Sequence, residues 1–143
     1  MKSVASAALG LLLLTSCVVR SVESPLPYLP RVATPPDGAE QVMLAGLISG
    51  KLVVDKGCVK IRRGRSSHLT TVLWYKGTEL GRDQKGLFLR ENTSGNVVRF
   101  GSPAYFGGGD ASQGHIEQAY PEVARLCGGP FAFGYPGGPL PAP

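Results

Sequence analysis

The chain has 143 residues, enough for one small domain and no more, and a domain of that size needs help beyond its hydrophobic core. Lys and Arg exceed Asp and Glu by 15 to 10, a net charge of +5. That excess is modest.

The first element is Met1 to Ser16, with Lys2 in front, an apolar run from Val4 to Leu14, and small residues Thr15 and Ser16 behind it. A membrane span needs about 20 apolar residues, so this run is too short to cross. Its three-part form is that of a secretory signal peptide. Leu14-Thr15-Ser16-Cys17 resembles the lipobox of bacterial lipoproteins, an aliphatic residue and two small residues before a Cys. The resemblance implies a diacylglyceryl group on the Cys17 thiol, an acylated amine, and Cys17 as the first residue of the mature chain. Two or more acyl chains hold a protein firmly at a membrane, whereas one is marginal. The alternative is an ordinary secretory signal with an unmodified Cys17. Val18, rather than Asp, after the lipidated Cys points to an outer membrane if the host has one, and otherwise to the outer face of the cell membrane.

Residues 17–40 follow as a lipidated N-terminus and proline-rich linker, with five of the twelve prolines between 18 and 40. Proline removes backbone donors, so the segment is neither helix nor central strand. As an extended tether it would reach roughly 70 Å. Tyr28 and Leu29 are its candidates for packing on the domain instead, which would shorten that reach.

With Cys17 assigned to the lipid, Cys58 and Cys127 remain as a pair in an exported, oxidising setting and are expected to form a disulfide. No C-x-x-C pair is present for redox or zinc chemistry.

From Gln41 the pattern changes to short runs of Val, Ile, Leu, Phe and Tyr punctuated by Gly, a strand-and-turn signature. Predicted strands are Val42 to Ile48 continuing to Val54, Cys58 to Arg62, Thr70 to Tyr75, Leu87 to Glu91, Val97 to Phe100, and Phe131 to Tyr135. In the second, Val59 and Ile61 alternate with Lys60 and Arg62, placing the apolar pair in the core and the charges in solvent. His115 to Leu126 is the one helical candidate, interrupted by Pro121 unless that residue starts a helix. The fold class is all-β, a small five- to six-stranded barrel or barrel-like sheet over 41–136 with one disulfide, followed by a disordered tail over 137–143.

Gly50-Lys51-Leu52, Gly57-Cys58, Val72-Leu73-Trp74, Val98-Arg99-Phe100-Gly101 before Gly107-Gly108-Gly109, and Cys127-Gly128-Gly129-Pro130-Phe131 stand in one order. In that order they are similar to the motifs of a group of bacterial secreted or lipoprotein domains. The group commonly has Pro after the Trp and Gly-Asp after the Arg strand, where this chain has Tyr75 and Ser102. The resemblance implies a small β unit closed by the Cys pair and implies no activity.

Candidate sites are few. Lys51, Lys56, Lys60, Arg62, Arg63 and Arg65 face a single acid, Asp55, between residues 51 and 65. Lys60, Arg62, Arg63 and Arg65 are the possible anion-binding set, against the alternative of solvated positions on a strand and turn. Gly107-Gly108-Gly109-Asp110 lacks the Lys-Ser/Thr of a phosphate loop and the spacing of a dinucleotide loop; it reads as a loop between strands. Asp110, Ser112 and His115 are triad-type residues without a nucleophile elbow, and His68 and His115 lack metal-ligand spacing. Trp74-Tyr75, Tyr105-Phe106 and Phe131 to Phe133 are either core or a sugar-stacking platform.

The expectation is a non-catalytic envelope lipoprotein without cofactor or metal. It would be held to the membrane by its lipid and would bind an envelope protein or an anionic polysaccharide, not nucleic acid. A surface-tethered hydrolase using Ser112, His115 and Asp110 is the alternative.

Overall fold

Strand β1, Gly46–Asp55, pairs twice: Gly46 to Lys51 lie antiparallel to β7, Pro103–Ala111, and Lys51 to Asp55 antiparallel to β2, Cys58–Arg62. β2 continues onto β3, Leu69–Trp74; β3 runs parallel to β8, Phe131–Pro139, and β8 returns to β7. The result is a closed five-stranded barrel in the order β1-β2-β3-β8-β7. The spatial order β7-β1-β2-β3 is a Greek key, the architecture of which OB-type barrels are one example. The computed structural model describes residues 23–37, 39–65 and 67–141. The predicted signal peptide and Cys17 lie outside them.

Alternation along each strand sends Ile48, Leu52, Val59, Ile61, Val72, Trp74, Ala104, Phe106 and Ala132 into one buried cluster. Trp74 meets Phe106 edge-on, with centroids 5.7 Å apart. Full burial of such side chains contributes roughly 1.5–3 kcal/mol each. Between β3 and β7 the chain makes a three-stranded meander of β4 (Thr78–Asp83), β5 (Gly86–Glu91) and β6 (Val97–Arg99). Leu80, Leu89 and Val98 stand in register across it and join the barrel core.

A second core lies outside the barrel wall. Helices α1, Gln113–Ala119, and α2, Pro121–Cys127, bring Ile116 and Val123 onto Leu73 and Phe131. Both faces of β3 are therefore covered, and Thr70 to Tyr75 are all buried. Pro121 opens α2, where a missing N–H costs nothing. Cys58 of β2 and Cys127 at the end of α2 are joined as a disulfide.

Four sequence expectations are corrected. The linker over 17–40 is not free of the domain, because residues 28–32 are built into the barrel wall. β2 and β3 pair only between Lys60–Arg62 and Leu69–Thr71. Where they diverge, Tyr28 N donates to Gly57 O (2.8 Å), Val59 N to Tyr28 O (2.9 Å), Trp74 N to Pro30 O (2.9 Å) and Val32 N to Trp74 O (3.0 Å). Pro30 sits where only a carbonyl is needed, so its missing donor is harmless. Leu29 packs on the barrel core and Val32 on the helical one.

The Gly107 to Asp110 stretch is strand, not loop. Residues 137–140 are not tail, since β8 runs to Pro139 and Leu140 N donates to Pro103 O at 3.1 Å. β4, unpredicted, shows one inward aliphatic side chain, Leu80, between outward Glu79 and Gly81.

Candidate functional site

The basic stretch between residues 51 and 65 does not form one patch. Lys60, expected in solvent, is 4% exposed. Its outward face is closed by the segment after α2, where Cys127 bridges to Cys58 and Thr71 donates to Gly128 O. Its ammonium meets Asp55 Oδ2 at 2.7 Å, and that hydrogen bond lowers the Asp55 carboxyl below its ordinary range. Arg63 is also engaged, with Asp110 Oδ1 at 2.5 Å. Arg62 and Arg65 remain exposed. Arg62 lies directly across from Lys51, a residue outside the predicted anion-binding set. Among the described residues neither Lys51 nor Arg62 pairs with an acid, and like charges placed opposite each other in a sheet repel.

Asp110, Ser112 and His115 do not converge. Ser112 caps α1, its Oγ accepting from the His115 backbone N–H at 3.3 Å. The His115 ring lies edge-on to Tyr120 and Phe133, and Asp110 faces Arg63. His68 lies in the exposed β2–β3 connection.

The aromatic residues divide. Trp74, Phe106 and Phe131 are core, whereas Tyr105 is 36% exposed. Tyr105 and Tyr135 stand on the outer face of β7 and β8, and the register sets each against glycine: Gly107 opposite Tyr135 and Gly138 opposite Tyr105. A Cβ on Gly107 would fall within the Tyr135 ring, and one on Gly137 within the Tyr105 ring. The two phenols therefore lie flat on bare backbone.

This floor belongs to a cleft of about 450 Å³ lined also by Met43, Lys76, Glu91, Thr93, Ser94 and Asn96. Its wall is the turn between β5 and β6, tied to the floor by Asn96 Nδ2 donating to Gly137 O at 2.6 Å. Within that turn Glu91 accepts from the backbone N–H groups of Thr93 and Ser94. Burial would raise the Glu91 carboxyl, but these bonds outweigh it and pull it down from 4.5 to about 2. The sequence does not reveal the cleft, since only the β7–β8 register brings Tyr105 and Tyr135 together.

A smaller apolar groove, about 230 Å³, lies among Val32, Val42, Leu44, Tyr75, Tyr120 and Phe133. The hydroxyls of Tyr75 and Tyr120 there accept from Leu44 N and Ala33 N, fastening the segment before β1 to the body. Among the described residues no helix is long and apolar enough to cross a membrane.

No model of a known protein family matches the chain, and neither the curated proteins nor the solved structures contain a match to it.

Proposed function

We propose that this protein is an exported, lipid-anchored envelope protein whose barrel is a non-catalytic binding module for an envelope protein or a glycan. The observation that carries the reading is the use of cysteine. The Cys58–Cys127 bridge accounts for two of the three cysteines and suits an oxidising compartment. It leaves Cys17, the residue that ends the lipobox-like Leu14-Thr15-Ser16-Cys17.

The fold adds a constraint on the anchor. Arg82 of β4 donates to Ser24 O and lies 4.0 Å from Glu23, so the chain is already held to the body at these residues. The residues from Cys17 to Glu23 span at most about 20 Å. A lipid on Cys17 therefore holds the Arg82 edge of the domain near the bilayer, far closer than a free proline tether would.

Growth of the producing cells with an alkyne-bearing palmitate, followed by click detection and membrane fractionation, tests the reading. The wild-type chain takes up label and sediments with membranes; Cys17→Ser does neither. Equal labelling and sedimentation of Cys17→Ser would sink the lipoprotein assignment.

A further inference from the structure

We infer that the cleft between the β5–β6 turn and the Tyr105–Tyr135 floor binds hexopyranose rings of an uncharged glycan. This deepens the binding-module reading and rests on it.

The floor is the first argument. A pyranose presents a face of axial C–H groups, and an aromatic face with its negative quadrupole is the surface that such C–H groups stack on. Tyr105 and Tyr135 rest on Gly137 and Gly107, and the register of β7 and β8 fixes their spacing. Rings set in place before the ligand arrives lose little freedom on binding. The rim is the second argument. Lys76, Thr93, Ser94 and Asn96 surround the tyrosines, supplying the mixture of donors and acceptors that sugar hydroxyls need. Asn96 and Glu91 hold the turn that carries Thr93 and Ser94, whereas Lys76 comes from the connection between β3 and β4, and the volume falls within the roughly 300–1,000 Å³ of small-molecule sites.

Charge decides the class of glycan. Lys76 and Glu91 cancel within the cleft, whereas a polyanion requires a net positive lining. The unpaired cations Lys51 and Arg62 lie on the outer face of β1 and β2. The face between strands two and three, through which OB-type barrels bind oligosaccharides, is closed here: Lys60, Thr71 and Leu73 are buried under the disulfide-linked segment and the helices.

The experiment is affinity electrophoresis of the full mature protein in detergent, in native gels containing hydroxyethylcellulose or dextran, with polygalacturonate as the charged comparator. At least one uncharged polymer is expected to retard the wild type. Tyr105→Ala should weaken that retardation at least tenfold, Tyr105→Phe should preserve it, and Arg62→Gln should leave it unchanged. Thermal unfolding of each variant shows that the fold is intact. No retardation by either uncharged polymer, equal retardation of Tyr105→Ala, or retardation by polygalacturonate alone that disappears in Arg62→Gln would each overturn the inference. Capture of a protein partner from solubilised envelopes, with no glycan retarding the chain, overturns the glycan site while leaving the binding module standing. Palmitate labelling at Cys17 is independent of every arm.

Discussion

The phenol ring of Tyr135 occupies the space that a side chain on Gly107 would need. One residue further along β7, Gly108 has φ 147°, and a Cβ there would run into the Phe133 carbonyl oxygen. The two glycines therefore answer substitution differently. Gly107→Ala displaces only the tip of a side chain, at about 1 kcal/mol, whereas Gly108→Ala meets backbone that cannot yield and costs more than about 3 kcal/mol. Urea denaturation of the two variants checks the order; equal losses would contradict the close approach of β8 to Gly108.

The wall segment 28–32 predicts a second effect. Val32→Pro deletes the donor to Trp74 O, in a strand buried on both faces, and an orphaned buried carbonyl costs about 1–3 kcal/mol. Proline is otherwise at home in this segment, so the loss arises from that bond and from Val32 packing on the helical core. Val32→Ala separates the two, keeping the bond and losing only packing. If Val32→Pro and Val32→Ala unfold at the same urea concentration, the bond contributes nothing.

What the sequence revealed and what it hid follow one physical division. β2 is legible to the residue because its alternation is clean and Asp55, Lys56 and Gly57 mark its start. The barrel follows from the same strand-and-turn pattern and the cysteine pair from setting Cys17 apart, but the pattern leaves Trp74 open between core and surface, and only its complete burial in the fold decides for the core. β7 was hidden because its three glycines resemble a loop, and their purpose appears only when Tyr135 and Phe133 arrive from β8. Lys60 was misplaced for a related reason. Alternation tells which face a side chain takes, but not that a loop remote in sequence will cover that face.

That covered lysine makes a third prediction. Asp55→Ala leaves the Lys60 ammonium without its partner under the segment after α2, whereas Lys60→Met keeps the buried stem and removes the charge. Removing one member of a buried pair is more damaging than replacing its charge by a hydrophobe of similar shape. Asp55→Ala is therefore the less stable variant, and the reverse order by thermal unfolding would mean that Lys60 reaches water without Asp55.

The Cys58–Cys127 bridge closes a loop with a sequence separation of 69, for which chain entropy gives about 4 kcal/mol. The double variant Cys58→Ser, Cys127→Ser should lose about 2–5 kcal/mol, and reductant should shift the wild type equally. The loss should also expose Lys60 and Thr71, because the segment after α2 is tied to β2 by this bond and to β3 by the Thr71 to Gly128 hydrogen bond. Hydrogen exchange at β2 and β3 that stays as slow as in the oxidised protein would show that the helices hold that face closed unaided.

Among the described residues Asp55, Asp83 and Glu91 all lie below their ordinary values and contribute to the response to acid, and the last two can be told apart. Asp83 accepts from both terminal nitrogens of Arg99 at 2.8 and 2.7 Å, and chiefly for that reason its carboxyl falls from 3.8 to about 2. Glu91 falls from 4.5 to about 2 through the turn bonds described above. A folded-state value below the unfolded one means that the unfolded chain binds protons first, so the stabilisation is complete above about pH 5 and is lost as pH falls toward about 2. The two contributions separate by salt. The Asp83–Arg99 pair is solvent-exposed and weakens with ionic strength, whereas the backbone bonds to Glu91 are screened less. Urea midpoints should therefore fall with acid in both low and high salt, more steeply in low salt. Glu91→Gln should flatten the slope that survives at high salt, and a slope unchanged by Glu91→Gln there would assign the acid response to other carboxylates.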